Sequence, residues 1–266
     1  MTLISIKNNL EIAKMRLVGR LVADVLEMIK DHVIPGVTTE ELNNICHKYI
    51  VYQQNAQPAC LGYQGFPKSI CVSINDVVCH GIPNKHDILK NGDIINIDIS
   101  IIKDGYYGDA SKMFIAGKSN KLGKKLCSVA KNSLYLALHT IRPGINLYIL
   151  GKVIQKYVEK YNFSIVREYC GHGIGKKFHE APQVLHHAYY ENKIVILQPG
   201  MTFTVEPMIN SGNNKVKCMN DGWTVKTQDN SLSAQYEHTV LVNHQGCEIL
   251  TRQKGEKIPK ILINLK

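Results

Sequence analysis

The strongest constraint on the fold is that the chain repeats itself. Pro35-Gly36-Val37-Thr38, followed by Leu42, Ile45, Lys48, Tyr49 and Ile50, recurs 108 residues later as Pro143-Gly144-Ile145-Asn146, then Leu150, Val153, Lys156, Tyr157 and Val158. The run LKNGDIINID from Leu89 to Asp98 overlays LQPGMTFTVE from Leu197 to Glu206 at the same offset of 108, so Gly92 meets Gly200 and Asp98 meets Glu206. Two separated segments sharing one offset identify a duplicated unit. His80-Gly81-Ile82 has a counterpart in His172-Gly173-Ile174 at offset 92, and Asp109 corresponds to Glu237 at offset 128, the intervening loops differing in length.

Each unit reads as helix, Pro-Gly turn, helix, then strands. Apolar residues at Ile12, Met15, Val18, Val22, Val25, Leu26 and Ile29 predict a first helix up to about residue 33, and a second runs from Thr38 to about Val51. The second-half helices are expected over about 121–141 and 146–161, with Thr38 and Asn146 as N-caps. Ile94 to Ser100 alternates and is β-branched, Lys103-Asp104-Gly105 is turn chemistry, and Tyr106 to Ala116 returns as a strand. The expected architecture is α+β: two pseudo-symmetric halves, about residues 10–117 and 121–250 of a single domain spanning 1–266, with helices on one face of a curved antiparallel sheet. A site is expected in the cleft between the halves.

Composition narrows the class. With 44% hydrophobic residues over 266 positions the chain can bury a large core. The net charge of +10 comes from 32 basic residues, of which 27 are lysine and five arginine, spread along the chain. Base reading leans on arginine's bidentate fork, so specific DNA binding is not expected; the charge reads as a solvated surface, with a loose electrostatic attraction to ribosomal RNA as the partner contact it leaves open. Eight cysteines show no CxxC pair, against both a zinc ribbon and a disulfide scaffold. Charged residues interrupt the first helix and no run approaches a membrane span, so a soluble cytoplasmic protein is expected.

Acidic residues stand where a core should be. Asp98 lies in Ile94-Ile95-Asn96-Ile97-Asp98-Ile99-Ser100-Ile101, and a lone buried carboxylate is costly. Pairing the strands about a turn at 103 and 104 sets Asp98 opposite Asp109, within one or two residues of register, and facing carboxylates repel unless a cation lies between them. The repeat supplies the arrangement again, through Glu206 in Thr202 to Pro207 and Glu237 in Tyr236 to Val240. Four strand-embedded carboxylates and His172, flanked by glycines in Cys170-Gly171-His172-Gly173-Ile174-Gly175, form a hard-donor set for two divalent metals. Taken singly, each acid also reads as a solvent-facing residue and each histidine as a hydrogen-bonded core residue. His32, His186, His187, His244 and Cys46 are read as structural or surface residues.

Together, Val78-Cys79-His80-Gly81-Ile82-Pro83, Asn96-Ile97-Asp98, Gly108-Asp109-Ala110-Ser111, Tyr169 to Gly175, Phe203-Thr204-Val205-Glu206-Pro207 and Ala234-Gln235-Tyr236-Glu237-His238-Thr239 resemble the bacterial type I methionine aminopeptidases, metallopeptidases of family M24, over about residues 5–250. That resemblance implies the pita-bread fold of creatinases and aminopeptidases, a monomer, and hydrolytic removal of initiator methionine from nascent polypeptide N-termini with a small second residue. It also implies two divalent ions, of Co, Mn, Fe(II), Zn or Ni. By motif position Asp109 and Glu237 would bridge both metals, His172 and Glu206 would complete one, and Asp98 would chelate the other. His179 would donate to the developing oxyanion, His80 would assist the leaving amine, and Glu206 would double as proton shuttle. Cys60, Tyr63, Phe66, Cys71, His80, Phe178, His179 and Trp223 would form the methionine pocket, where sulfur and aromatic edges suit a thioether. Phe66 stands where many relatives have tyrosine, and Lys176-Lys177 where a small residue is frequent, which bears on fine preference. The chain's own Met1-Thr2 start fits self-processing. Competing readings are a proline-specific relative, a non-catalytic binder on the same scaffold, and an RNA-associated basic protein.

Overall fold

The computed structural model describes residues 3–189 and 195–259; Met1-Thr2, on which the self-processing expectation rests, lies outside them. Among the described residues, four α-helices carry the backing layer: α1 Asn9–Met28, α2 Thr39–Lys48, α3 Lys121–Thr140 and α4 Tyr148–Glu159. The strands of the first half are β1 Gln57–Pro58, β2 Cys71–Ile74, β3 Val77–Cys79, β4 Ile94–Lys103 and β5 Tyr106–Ile115. Those of the second half are β6 Ser164–Ile165, β7 Gly171–Gly173, β8 Glu180–Val184, β9 Thr202–Val205, β10 Met208–Asn210, β11 Val216–Cys218, β12 Val225–Thr227, β13 Ser233–Gln235, β14 His238–Val242 and β15 Cys247–Ile249.

The duplication is visible in the hydrogen bonds. Isolated bridges join Thr38 to Ile88 and Asn146 to Ile196, pairs again 108 residues apart. The Gly36 amide donates to Leu89 O at 2.8 Å and the Gly144 amide to Leu197 O at 2.9 Å, so each Pro-Gly turn is sewn to the loop that enters its sheet. Helix boundaries follow local chemistry. Asn8 and Thr38 cap α1 and α2 with full capping boxes to Glu11 and Glu41. The first α-helix stops at Met28 and continues as a 3-10 turn to His32, and the second continues past Lys48 as a π turn to Gln53. Asn146 is not the N-cap of α4; Leu147 is, while the Asn146 side chain accepts the Tyr148 amide at 3.1 Å.

Antiparallel β4 and β5 turn at Asp104 and Gly105, both at positive φ (50° and 78°). Asp-Gly is the preferred pair for a two-residue hairpin turn, so Lys103 remains in the strand. The register is therefore two residues from that centred on 103 and 104: Asp98 faces Ser111, and Asp109 faces Ser100. A shift of two keeps both acids on one face. The near-continuous isoleucines divide by face, with Ile95, Ile97, Ile99 and Ile101 packed among Met15, Val18, Val22 and Leu26 of α1, and Asn96, Asp98 and Ser100 on the opposite face. A second core gathers Leu126, Leu134, Leu150 and Ile154 of α3 and α4 with Phe203, Val205 and Val240.

Where the first half has two unbroken strands, the second has β9 with β10 and β13 with β14, each interrupted. Glu206 and Glu237 lie in those interruptions rather than inside strands as expected. Pro207 has no amide to continue the ladder and biases the residue before it to extended geometry, which accounts for the first break. The halves join where the Glu237 amide donates to Ser111 O at 3.0 Å and Thr239 Oγ1 donates to Asp109 O at 2.7 Å.

Candidate metal centre

Asp98 from β4, Asp109 from β5, His172 from β7, and Glu206 and Glu237 from the two strand breaks converge at that junction. His172 Nε2 is 3.6 Å from Asp109 Oδ2 and 3.7 Å from Glu206 Oε1. Asp109, His172 and Glu237 each offer a ligand atom, all within 4.8 Å of one another. His172 Nδ1 lies 3.0 Å from the Gly173 carbonyl, which only accepts, so Nδ1 carries a proton and Nε2 is the nitrogen that faces the two carboxylates; burial opposes a charge on the ring, but the hydrogen bond to Asp109 and the charge of Glu206 raise its pKa. Such an arrangement suits a cation between them.

Neighbouring hydroxyls orient the acids. Ser100 Oγ donates to Asp109 Oδ1 at 2.8 Å, and Thr204 Oγ1 donates to Glu206 Oε1 at 2.7 Å, with Gln235 Nε2 at 3.4 Å from Glu206 Oε2. Buried Asp98 Oδ1 and Glu237 Oε1, by contrast, have no hydrogen-bond partner. Burial, then the charge of Asp109, pushes the Asp98 carboxyl well above its usual range, and burial followed by Asp109 and Glu206 does the same for Glu237. Glu206 is raised to about 7, chiefly by burial, with Asp109 adding to the rise and His172 and the Thr204 hydroxyl opposing it. Three carboxyls displaced upward together, two with orphaned oxygens, fit a donor set built around divalent cations. The residues present therefore suit the metal that the sequence pattern implies.

All five share one cavity of about 530 Å³ with Cys60, Tyr63, Phe66, Cys71, His80, Phe178, His179 and Trp223, so every residue expected at the site is brought to it. Phe66 packs edge-on to Trp223 at 5.1 Å between centroids, and Tyr63 does so to Phe178 at 5.0 Å. His80, at φ 56°, meets Tyr169 and Trp223 edge-on. The His179 ring stacks on Phe178 at 4.5 Å and stands 4.2 Å from the His172 ring. Burial lowers the His80 pKa against the pull of Asp109. Burial, reinforced by His172, lowers His179 to about 4, so both rings are neutral at pH 7.

Several supporting residues escaped sequence reading. His186, expected to have no part in the site, is fully buried and its Nε2 accepts the Glu206 amide at 3.0 Å, supplying the bond that the Pro207 break removes from the ladder. Burial holds its pKa down near 3, which keeps that nitrogen an acceptor. Nothing in the spacing from His186 to Glu206 marks the pair. Tyr169, the first residue of the Tyr169 to Gly175 motif but given no role there, and Met208, next to Pro207, also line the cavity.

Residues 13–244 match the family model for metallopeptidase family M24. A protein of Buchnera aphidicola subsp. Baizongia pistaciae named methionine aminopeptidase is 75% identical over 265 residues, covering 100% of both chains. Its namesake in Escherichia coli K12 is 60% identical, covering 97% of this chain and 98% of its own length. The crystal structure of methionine aminopeptidase from Rickettsia prowazekii superposes with a TM-score of 0.90 at 49% identity, over 94% of this chain and 100% of that one.

Proposed function

The chain belongs to metallopeptidase family M24, has its pita-bread fold and is a metal-dependent aminopeptidase that removes N-terminal methionine, and from that premise we propose how its residues divide the work. The observation that carries the proposal is the buried acid cluster, with its orphaned Asp98 and Glu237 oxygens and His172 Nε2 turned into it. Two divalent ions, from among Co, Mn, Fe(II), Zn and Ni, would be held there by Asp98, Asp109, His172, Glu206 and Glu237, with Asp109 and Glu237 shared between them. Bound there, such ions would supply the acidified water and the polarised carbonyl that amide hydrolysis near pH 7 needs.

The protein's own groups do the rest. Glu206 accepts the proton released on attack, its carboxylate held in place by Thr204 Oγ1 donating to Oε1 and Gln235 Nε2 to Oε2. Tyr63 Oη sits 2.7 Å from His179 Nδ1, so a hydroxyl donating there leaves Nε2–H of a neutral ring to stabilise the oxyanion. His80 serves the leaving amine. Cys60, Phe66, Cys71 and Trp223 receive the methionine side chain, and their packed rings exclude water around it.

Its substrates are nascent polypeptide N-termini whose second residue is small, met by a monomer, folded as one domain over residues 1–266, in the cytoplasm. Eight free cysteines support a reducing compartment, and the scattered lysines support a loose contact with ribosomal RNA. No described helix is long and apolar enough to cross a membrane. Mass analysis of peptides Met-Gly-Met-Met and Met-Leu-Met-Met after incubation tests the specificity. Loss of one methionine from the first alone is expected, and equal trimming of both, or continued trimming of the product, would overturn it.

A further inference from the structure

The turn that carries Phe178 and His179, residues 174–179 between β7 and β8, is fastened from the other end of the chain. Lys7 Nζ lies 2.9 Å from Glu180 Oε2, an ion pair between residues 173 apart in sequence whose side chains are 3% and 13% exposed. The other oxygen of Glu180 accepts the Lys177 amide at 3.0 Å, which closes the turn on the same carboxylate. Glu180, the residue after His179, is thus held from one side by its own turn and from the other by Lys7. The Lys7 amide in addition donates to Gly200 O at 2.9 Å, anchoring the segment that delivers the ammonium.

Room has been left for this link. A Cβ on Gly175 would lie 2.6 Å from Lys7 Cε and 2.9 Å from Nζ, and one on Gly200 would lie 2.7 Å from Ile6 Cγ2 and 2.9 Å from Lys7 O. At Gly200, where φ is +90° and the near atoms include backbone, a side chain would push the N-terminal segment away; at Gly175 it would displace the Lys7 ammonium from Glu180. The Tyr107 amide, 2.9 Å from Gly175 O, and Lys176, 2.9 Å from Glu11 Oε1, tie the start of the turn to the first half as well.

A buried ion pair is a weak source of stability, because desolvation offsets the attraction and apolar replacements of like volume are frequently as stable. What it does provide is a single permitted arrangement of the groups it joins. We infer that Lys7 is a positioning residue for the hydrolysis, which through Glu180 fixes the 174–179 turn so that the His179 ring stands against Tyr63 and the carbonyl of the substrate. This rests on the proposed role of His179 as oxyanion donor.

Lys7→Met, which keeps length and removes charge, tests it alone and combined with His179→Ala. Kinetics on Met-Gly-Met-Met and calorimetric titration of the metal-free protein with Mn(II) are the readouts. Misplacing a donor by about an ångström costs up to roughly 10²-fold, so kcat/KM is expected to fall about 10- to 100-fold in Lys7→Met. Mn(II) affinity stays within about twofold, and Lys7→Met adds less than about twofold once His179 is alanine, as expected of residues acting as one unit. Lys7→Arg recovers most of the rate. Wild-type kcat/KM in Lys7→Met, or an equal loss in the His179→Ala background, overturns the inference. Wild-type kcat/KM in His179→Ala alone overturns the reading of His179 instead. Should Lys7→Met not fold, Glu180→Gln replaces it with the same expectations.

Discussion

The Tyr63 hydroxyl lies 2.7 Å from His179 Nδ1, joining a residue of the first half to one 116 positions later and fixing which imidazole nitrogen faces the cavity. Tyr63→Phe keeps the ring that packs on Phe178 and removes this contact together with the longer bond that Tyr63 Oη accepts from Gln64 Nε2 at 3.4 Å. The tautomer is then unfixed, and a neutral hydrogen bond is worth about 1 kcal/mol, so kcat is expected to fall about fivefold with KM little changed. Steady-state kinetics on Met-Gly-Met-Met check this, and an unchanged kcat would detach Tyr63 from the chemistry.

His186 is expected to matter through the Glu206 backbone. His186→Leu leaves a buried amide without an acceptor, a loss of about 1–3 kcal/mol in urea unfolding of the metal-free protein. His186→Gln, whose amide oxygen can stand near the Nε2 position, is expected to recover most of that loss. Mn(II) affinity should weaken in the leucine variant and return in the glutamine one. A leucine variant as stable as the parent would contradict the account.

The acid cluster gives the metal-free protein an unusual pH dependence. Glu206 ionises near 4.5 when unfolded and near 7 in the fold, so between those values the fold retains a proton that the unfolded chain has released. Stability from this group is therefore full below about pH 4.5 and is lost as pH rises toward about 7, and the raised Asp98 and Glu237 act in the same direction. A bound cation pairs the ionised forms and removes the penalty. Calorimetric melts with and without Mn(II) should show a Tm gain that widens from about pH 5 to about pH 7.5. A gain independent of pH would mean the carboxyls are not the groups the metal engages.

Much of this architecture was legible because duplication and alternation leave marks in sequence. Gly36 and Gly144, or Thr38 and Asn146, occupy matching turns and bridges at the offset read from the residues. In the isoleucine run Asp98 is conspicuous from sequence, whereas Asn96 and Ser100, on the same face, are identified by the folded strand. Register was harder: the Asp104-Gly105 turn is one residue later than the centre chosen, and a hairpin doubles such an error into a two-residue shift. The strand breaks at Glu206 and Glu237 leave no mark in the pattern, because the apolar residues around each acid read as one continuous strand. The Lys7 to Glu180 and His186 to Glu206 contacts join residues whose spacing has no periodicity, so only the folded chain reveals them.

The most direct measurement is methionine release from Met-Gly-Met-Met by metal-free protein, with and without Mn(II) or Co(II), alongside Asp98→Asn. The account predicts release of a single N-terminal methionine only when metal is added, with weaker metal binding and a rate lower by at least about 10²-fold in the variant, the order of loss seen when a main electrostatic group is removed. Metal-independent release, or full activity in Asp98→Asn, would contradict the claim that the buried acid cluster is the catalytic metal centre.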